Sequence, residues 1–253
     1  MFAPCRADPP GAAGVMAVEP QPSKHRFPPA TSGDERGWVS EGADLEPGTL
    51  LLAYRSGLFP MRSPQGQLTW WSPDPRAILP LDGLRVSRSL NRARKKFRTT
   101  VDAAFEQVLQ GCSDRASGEY VWVTDEVRAA YTQLHELGWA HSVEAWTIGE
   151  GEEPELAGGL YGVAIGGLFS GESMFSRRAD ASKVALVALV ELLNAAGGDT
   201  AARMIDVQWE TPHLASLGAV ELPRQEYLRR LGRALEQPHP AWPEPSHGSG
   251  EPG

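Results

Sequence analysis

Cysteine and long hydrophobic runs are both scarce in this 253-residue chain. Its two cysteines, Cys5 and Cys112, form no C-x-x-C pair, which argues against a disulfide framework and a cysteine-bound structural zinc. The longest apolar stretches, such as residues 184–193, are too short for a membrane span, and Glu191 interrupts this one. Prolines stand where a signal peptide would need an apolar core. The sequence therefore predicts no export signal, no membrane partner and a location in the reducing cytoplasm.

Familiar motifs for nucleotide binding and nucleophilic catalysis are also missing. The chain has no P-loop, no G-x-G-x-x-G between a strand and a helix, and no G-x-S-x-G. His135, His141 and His213 lack metal-ligand spacing with Cys, Asp or Glu. We therefore predict no metal and no cofactor, and we expect these histidines to be structural.

Proline is concentrated at the two ends of the chain. Of the 21 prolines, 12 lie within residues 1–31 and 237–253. Such segments lack the apolar residues that a packed core requires. We therefore predict a disordered extension over residues 1–25 and a disordered tail over residues 237–253.

Between these ends, hydrophobic periodicity and capping residues predict alternating helices and strands. Helices are expected over residues 44–59, 99–112, 125–137 (with Thr124 as N-cap), 181–196, 212–217 (with Thr211 as N-cap) and 225–235. Strands are expected over residues 142–148, 156–165, 167–169 and 204–208. This alternation predicts an α/β (α+β) layered fold.

Basic residues are unevenly distributed along the chain. Seven cations and no acidic residue fall within residues 85–98, which we name the basic segment, although the formal net charge is −8. The rest of the chain has 17 basic residues against 32 acidic ones, a balance of −15. The basic segment is interpreted either as a solvated helix face or as a contact with the phosphate backbone of RNA. The acidic remainder favours a second, positively charged substrate.

Residues 158–176 form a glycine-rich segment that contains one carboxylate. Its six glycines exceed what a strand usually tolerates and indicate close approach of a ligand or of another backbone. Glu172 stands in these apolar surroundings, where a carboxylate must be paired, hydrogen-bonded or protonated. Glu172 is therefore a candidate catalytic residue or, alternatively, the cap of a hairpin turn.

A second candidate site lies in the short strand predicted over residues 204–208. Period-two alternation places Asp206 and Gln208 on one face of the strand, and Ile205 and Val207 on the other. The polar face either lines a cleft or meets solvent as an exposed edge. In a cleft, the carboxylate is suited to act as a base and the carboxamide to donate and accept hydrogen bonds.

Aromatic residues provide a third candidate surface. Residues 70–76 begin with tandem tryptophans and contain two prolines that fix the backbone. Together with the basic segment, Tyr54, Trp122 and Tyr131 are suited to stack against unpaired RNA bases. Core packing is the alternative, and it is preferred for Trp146 and for one of the tandem tryptophans.

These segments together resemble the bacterial leucyl/phenylalanyl-tRNA–protein transferases. The resemblance is carried by LLAYRSGLFPM (51–61), WWSPDPRAIL (70–79), VSRSL (86–90), YTQLHELGWAHSVEAW (131–146), GGLYGVAIGGLFSGESMFSRRADASKVAL (158–186), IDVQ (205–208) and HLASLGAVELPRQEYL (213–228). It implies transfer of Leu or Phe, and also Met, from aminoacyl-tRNA to the α-amino group of an N-terminal Arg or Lys. Such transfer marks the acceptor protein for N-degron degradation.

The resemblance also implies a fold and its boundaries. A small N-terminal α/β domain over residues 26–84 would precede a larger domain over residues 85–236, similar to the GCN5-related acetyltransferases. The 3′ aminoacyl-adenosine and the acceptor stem of the tRNA would both bind this enzyme.

Site residues follow from the matching positions. Asp206 would polarise the attacking amine, directly or through Gln208, and Gln208 would lie near the aminoacyl carbonyl, with Glu172 as the third catalytic candidate. A substrate-assisted route through the terminal adenosine hydroxyls is the rival mechanism. The expected side-chain pocket is Leu160, Phe169, Glu172, Leu186 and Leu189, and further substrate contacts are Ser173, Met174 and Phe175. Adenosine contacts are expected at Tyr54, Met61, Trp122 and Tyr131, and tRNA backbone contacts at Arg88, Arg92, Arg94, Lys95 and Lys96.

One departure and two rival functions remain. Met61 stands where many relatives carry a tryptophan that stacks on adenine, and a thioether offers less contact area. An acyl-CoA-dependent N-acyltransferase would have the same fold, but the chain lacks the glycine-containing turn that binds pyrophosphate at a helix N-terminus. The second rival hypothesis is a non-catalytic RNA-binding protein, and it predicts that replacing Asp206 changes nothing measurable.

Overall fold

A computed structural model describes residues 16–114, 123–148 and 153–242. Trp122, one of the expected stacking residues, therefore lies outside the described residues. Within the described ranges, no helix is long and apolar enough to cross a membrane.

The described residues form helices and strands in alternation, as the fold-class prediction requires. The helices are α1 (Pro47–Arg55), α2 (Arg88–Ala93), α3 (Phe105–Ser113), α4 (Asp125–Glu136), α5 (Ala181–Ala195), α6 (Pro212–Leu217) and α7 (Arg224–Leu235). The strands are β1 (Trp38–Glu41), β2 (Phe59–Arg62), β3 (Leu68–Trp71), β4 (Arg76–Pro80), β5 (Phe97–Val101), β6 (Ala140–Thr147), β7 (Leu156–Ile165), β8 (Leu168–Ser176), β9 (Met204–Gln208) and β10 (Val220–Leu222).

The strands form two sheets. A small antiparallel sheet has the order β1-β3-β2, and a large sheet has the order β10-β4-β9-β8-β7-β6-β5. Every pair in the large sheet is antiparallel except β8 with β9, which run parallel. The mixed α/β class is thus confirmed, while the likeness to acetyltransferases stays a prediction.

Helix α5 packs against one face of the large sheet, and α3 and α4 pack against the other. Gly158 on β7 makes the approach of α5 possible, because a Cβ there would lie 2.8 Å from the Cβ of Ala181. The close backbone approach that the glycine-rich segment predicted is therefore a helix-to-sheet contact at this position. It places the apolar side of α5 over β6 and β7 and next to β8, the strand that carries Glu172.

Several local predictions are confirmed by the helix and strand bounds. Thr124 caps α4 by accepting a hydrogen bond from the Val127 amide, and Thr211 caps α6 in the same way through Leu214. The strands predicted over residues 156–165 and 204–208 have the bounds of β7 and β9. Trp70 is fully buried, as expected for one of the tandem tryptophans.

The helix predicted over residues 99–112 is wrong in its first part. Residues 99–101 end strand β5, Asp102 turns with a φ of 55°, and α3 begins only at Phe105. The threonines and the valine of residues 99–101 are β-branched and favour an extended strand. The helix predicted over residues 44–59 is also shorter, since α1 ends at Arg55 and Gly57 turns with a φ of 81°.

The described terminal residues lie against the body of the protein. In the range expected to be a disordered extension, the Val18 amide donates to the Leu137 carbonyl and the Trp139 indole donates to the Val18 carbonyl. In the expected tail, Trp242 is fully buried. Residues 16–25 are therefore hydrogen-bonded to the body and residues 237–242 pack against it. The rest of the two expected disordered segments, residues 1–15 and 243–253, lies outside the described residues.

The large sheet also extends past the expected domain boundary near Leu84. Strand β4 lies before that position, yet it pairs with β9 and β10 inside the large sheet. The sheets therefore divide the chain between Trp71 and Arg76, within the Ser-Pro-Asp-Pro turn.

Candidate active site

A cleft opens where the parallel strands β8 and β9 separate. Their pairing runs from Leu168 opposite Met204 to Ser170 opposite Asp206 and stops there. Beyond this point the two strands form opposite walls of a cleft of about 390 Å³. Parallel strands that separate leave an opening in which both side chains and backbone groups face a ligand.

The cleft is mainly apolar in its depth and polar at its opening. Leu160, Phe169, Leu186 and Leu189, four of the five residues expected to form the side-chain pocket, line it and are each at most 3% exposed. The remaining lining residues are Tyr161, Gly171, Glu172, Ser173, Met174, Ile205, Val207, Gln208, Trp209, Thr211, His213 and Leu214. The structure therefore brings together the whole expected pocket, including Glu172.

Phe175 is the one expected substrate contact on β8 that points elsewhere. Its ring lies against Gly111, where a Cβ would come within 2.7 Å of it, and it lines a separate hollow with Cys112. Alternation along β8 explains this position, because Met174 faces the cleft and the next side chain faces the opposite side. Phe175 therefore supports the fold of α3 on the sheet, and Ser173 and Met174 keep their place at the cleft.

Gln208 ends β9 in a strained turn at the edge of the cleft. Its φ is 60°, and the Trp209 amide donates to the Val207 carbonyl at 2.7 Å, which forms a γ-turn around it. Non-glycine residues in the left-handed region are costly and occur preferentially at functional sites. The Nε2 of Gln208 donates to the Ser170 hydroxyl at 3.1 Å, so its Oε1 is the carboxamide atom left to accept from a ligand.

Asp206 is buried beneath this turn and does not line the cleft. Oδ1 accepts from Arg76 Nε at 2.9 Å and from the backbone N–H of Gln208 at 3.0 Å. Oδ2 accepts from Arg76 Nη2 at 2.5 Å and from the Tyr227 hydroxyl at 2.8 Å. The expectation that Asp206 meets a cleft or solvent is therefore wrong, since its side chain is 1% exposed and both oxygens are saturated.

The charge of Asp206 is balanced by one buried guanidinium. Burial opposes ionisation of Arg76, but Asp206, together with Tyr227 and Glu172, outweighs burial and raises the pKa of Arg76. The guanidinium also lies 4.5 Å from the ring centres of Phe59 and Tyr227. This arrangement holds the end of β9 in place and leaves contact with substrate to Gln208.

Glu172 joins the same network from β8. Tyr131 donates to its Oε2 at 2.9 Å and Ser170 donates to its Oε1 at 3.1 Å. Burial raises the pKa of Glu172 to about 7, even though hydrogen bonds from Tyr54, Tyr131 and Ser170 lower it. The carboxyl group thus titrates close to neutral pH at the wall of the cleft, as a proton-transfer group would.

The two tyrosines expected to stack on adenosine have a different position. Tyr54 and Tyr131 are at most 1% exposed, and their hydroxyls are hydrogen-bonded to each other. Burial raises the pKa of both well above the ordinary value, so both remain donors to the Glu172 network. The stacking expectation is wrong for these rings because no face is open to a base.

Trp209, which was not predicted as a site residue, lies at the mouth of the cleft. Trp209 is 39% exposed, and its indole meets the ring of Phe59 edge-on at 5.0 Å. Trp71 adds a second edge contact at 6.2 Å. Met61, two residues after Phe59, is only partly exposed on the adjacent strand β2. Trp209 is therefore the open aromatic surface of the described cleft.

The basic segment forms α2, a short 3-10 turn and the start of β5. Arg88, Arg92, Lys95 and Lys96 are exposed, as a contact with a phosphate backbone requires. Arg94 differs, because its Nη2 donates to both carboxylate oxygens of Glu191 on α5 at 2.6 and 2.7 Å. Four of the five expected tRNA-contacting cations are thus accessible, and the fifth fixes the segment to the body.

Asp102, His135 and His141 are the only group of potential metal ligands in the described residues. The ring nitrogens of His141 lie 2.7 Å from an Asp102 oxygen and 3.1 Å from the Gly138 carbonyl. The Nδ1 of His135 lies 2.8 Å from the Ala140 carbonyl. These contacts hold both rings in place, whereas His213, also expected to be structural, lines the cleft.

Two residues of the network, Arg76 and Tyr227, were not identified from the sequence. Each lies far from Asp206 along the chain, 130 and 21 residues away, and reaches it through the sheet and through α7. The sequence signal for Arg76 is a lone cation in a buried strand, which requires a buried anion as its partner. No local spacing points to that anion.

Comparisons with known proteins identify the family of this chain. The family model described as leucyl/phenylalanyl-tRNA protein transferase matches residues 78–232, and the model of its N-terminal domain matches residues 43–74. The first match ends at Asp74, within the turn that separates the two sheets.

Curated relatives extend the match over most of the chain. A leucyl/phenylalanyl-tRNA–protein transferase of Magnetococcus marinus is 49% identical over 217 residues, 85% of this chain and 91% of the relative. The relative of Anaeromyxobacter sp. is 48% identical over 227 residues, 88% of this chain and 93% of its own length. That of Shigella dysenteriae is 49% identical over 208 residues, 79% of this chain and 84% of its own length. This chain belongs to the leucyl/phenylalanyl-tRNA–protein transferase family.

Proposed function

We propose that the protein transfers a leucyl or phenylalanyl group, and also a methionyl group, from aminoacyl-tRNA to the α-amino group of an N-terminal Arg or Lys. The product would be an acceptor protein marked for N-degron degradation. The observation that supports the proposal is the position of Gln208, which lies in a strained turn at the edge of an apolar cleft. We place the reaction in the cytoplasm, where charged tRNA is available.

The cleft would hold the aminoacyl group with its side chain in the apolar depth. Leu, Phe and Met are unbranched at Cβ and fit a narrow entrance, whereas Val and Ile carry a branch at the carbon that passes it. A hydrophobic pocket distinguishes substrates by only about 1–3 kcal/mol per methylene, so exclusion by shape must supply further selectivity. The ester carbonyl would then lie near Gln208, at the boundary between the apolar and polar parts.

The aminoacyl ester is already activated, so the reaction requires positioning and one proton transfer. The amine nitrogen attacks the ester carbonyl carbon, the bond from that carbon to the ribose oxygen breaks, and a proton passes from nitrogen to that oxygen. Gln208 Oε1 would accept a hydrogen bond from the amine and orient its lone pair. Asp206 would act through Gln208, because its carboxylate accepts from the backbone N–H of Gln208 and reaches no ligand itself.

Glu172 would prepare the acceptor for attack. An α-ammonium group must lose a proton before its nitrogen becomes nucleophilic, and its ordinary pKa is about 8. With a pKa of about 7, ionised Glu172 is matched to receive that proton near neutral pH. The rival route uses a terminal adenosine hydroxyl for the same step, and the pH dependence of Glu172 variants separates the two.

Charge would bring both substrates to the protein. The exposed cations of the basic segment suit the phosphates of an acceptor stem, and such contacts position an RNA without reading its sequence. The remaining chain, with its balance of −15, attracts a cationic N-terminus. Trp209 at the mouth would offer an aromatic face to the terminal base.

The decisive experiment supplies purified protein with labelled Leu-tRNA and a peptide that begins with Arg. A peptide that begins with Ala is the matched control, and leucyl-coenzyme A replaces the tRNA in a parallel reaction. Label on the Arg peptide alone, and only with tRNA, supports the proposal. Label from coenzyme A would favour the N-acyltransferase reading, and tRNA binding without any label would favour the RNA-binding reading.

A further inference from the structure

The last described residues, 237–242, form a strap against β7 and against the segment between α5 and β9. The Asp199 amide donates to Gln237 Oε1 at 2.9 Å, and Arg203 Nη2 donates to the Pro238 carbonyl at 2.9 Å. His239 Nε2 lies 3.0 Å from the Ala164 carbonyl on β7. These contacts direct residues 237–242 toward the sheet, and the strap ends with Trp242 inserted into the core.

Trp242 lies directly behind the cleft. Its indole is fully buried and its ring centre is 6.0 Å from that of Phe169, which lines the cleft. Both belong to one apolar cluster that also contains Leu186 and Leu189 of α5. An aromatic side chain near the C-terminus is therefore part of the wall that supports the aminoacyl pocket.

The ring of Phe169 has little room to move. Gly162 on β7 leaves room for its ring, because a Cβ at Gly162 would come within 2.5 Å of the ring carbons. The ring is thus limited by the β7 backbone on one side and contacts Trp242 within the core. Without the indole, the cavity left behind Phe169 would let its ring move back and deepen the cleft.

Trp242 itself rests on a fixed ring. It stacks on His141 with ring centres 3.9 Å apart and planes 10° from parallel. His141 is held at both nitrogens, by Asp102 at 2.7 Å and by the Gly138 carbonyl at 3.1 Å. A buried imidazole held in this way gives the indole one defined position.

We propose that Trp242 is a positioning residue for donor specificity: it sets the depth of the aminoacyl pocket through Phe169. It makes no contact with the substrate. This inference rests on the proposed function, because the ligand whose size it limits is the aminoacyl side chain. Shortening Trp242 favours the longer phenylalanyl donor over the leucyl donor.

The test measures kcat/KM for Phe-tRNA and for Leu-tRNA in Trp242→Phe, Trp242→Leu and Trp242→Ala. The ratio of the two values on one preparation does not depend on how much of the enzyme is folded. We expect the Phe/Leu ratio to rise as the side chain shortens, by roughly fivefold or more in Trp242→Ala, and to stay near the parent value in Trp242→Phe. Trp242→Leu supplies the measurement if the alanine variant does not fold.

Trp70→Phe and Trp70→Leu are matched controls, since Trp70 is equally buried but belongs to the cluster on the other side of the sheet. Their Phe/Leu ratio should equal that of the parent. A Phe/Leu ratio that is unchanged or lower in the Trp242→Leu and Trp242→Ala variants overturns the inference and leaves Trp242 a merely structural residue. If the parent protein transfers neither donor, the proposed function itself fails.

Discussion

Arg76 and Asp206 form a buried ion pair in which two nitrogens of one side chain donate to the two oxygens of the other. Both side chains are about 1% exposed, so neither charge is compensated by water. A pair of this kind contributes little net stability but is costly to break, because the remaining charge stays buried. Its position below Gln208 makes the geometry of the site depend on the pair remaining intact.

Replacing Arg76 should therefore destabilise the fold strongly. We expect Arg76→Ala to lower the free energy of unfolding by about 3–5 kcal/mol, measured by urea denaturation. Arg178→Ala is the matched control, because its ion pair with Glu155 is more than half exposed, and it should cost at most about 1 kcal/mol. Equal losses in the two variants would contradict the assignment of a buried pair.

Gln208 is the cleaner test of catalysis, since removing its carboxamide leaves no buried charge without a partner. Gln208→Ala should lower kcat by about 10²–10⁴ while tRNA binding and thermal stability remain near parent values. Gln225→Ala, at an exposed position on α7, should leave all three unchanged. A loss confined to KM would show that Gln208 contributes binding alone.

Glu172 predicts a specific pH dependence of stability. Its pKa is raised from 4.5 to about 7 in the folded protein, so its contribution to stability is complete below pH 4.5 and is lost as the pH rises through 7. Glu172→Gln stays neutral at every pH. The midpoint of thermal unfolding of Glu172→Gln, relative to that of the parent, should therefore increase between pH 5 and pH 8. Glu221 is exposed, and the midpoint of Glu221→Gln relative to the parent should not change over this pH range.

The same variant separates the two mechanisms. If Glu172 receives the ammonium proton, kcat/KM of the parent rises with pH through an apparent pKa near 7, and Glu172→Gln lacks that step. If an adenosine hydroxyl serves instead, the two enzymes have pH profiles of the same shape, and the role proposed for Glu172 is excluded.

Local structure was largely predictable from the sequence, and long-range pairing was not. The alternation of Ile205, Asp206 and Val207 correctly placed Ile205 and Val207 on one apolar face, because alternation is a property of a strand by itself. It did not reveal that Asp206 is buried, since its partner Arg76 lies 130 residues earlier and is joined to it only by the pairing of β4 with β9. Glu172 was identified because a carboxylate among glycines and apolar residues requires a partner, whichever residue supplies it.

The terminal prolines were misleading for residues 237–242, and the reason is physical. Composition predicts that a segment cannot form a core of its own, but it does not exclude packing against a core formed by other residues. Trp242 is a single apolar side chain in a proline-rich tail, and its burial depends on the space between His141 and Phe169. A space formed by β6 and β8 leaves no pattern in the tail.

The basic segment predicts a change in the salt dependence of tRNA binding. Each phosphate contact contributes about 0.7–0.9 to the slope of log K against log salt. Neutralising Arg92, Lys95 and Lys96 should therefore reduce the slope by about 2–3, measured by equilibrium binding over a range of salt concentrations. The control neutralises Arg26, Arg36 and Arg233, which are exposed cations outside the segment, and should leave the slope unchanged. Equal slopes for both triple variants would exclude the segment as the phosphate site.

Trp209 predicts a binding energy that depends on the base of the donor. Stacking of a base on an aromatic side chain contributes about 1–3 kcal/mol. We therefore expect Trp209→Ala to weaken binding of a non-hydrolysable phenylalanyl-adenosine by that amount. An analogue that keeps the aminoacyl group and the ribose but lacks adenine should bind the parent and Trp209→Ala equally, since it has no base to stack.

Trp38 provides the matched control for this experiment. It is 38% exposed, against 39% for Trp209, and it lies on β1 without lining the cleft. Trp38→Ala should bind both analogues as the parent does. If Trp209→Ala weakens binding of the two analogues equally, the indole contributes to the shape of the cleft and not to base stacking. If neither analogue is affected, the terminal base binds away from Trp209, and Met61 on the adjacent strand is the next residue to replace.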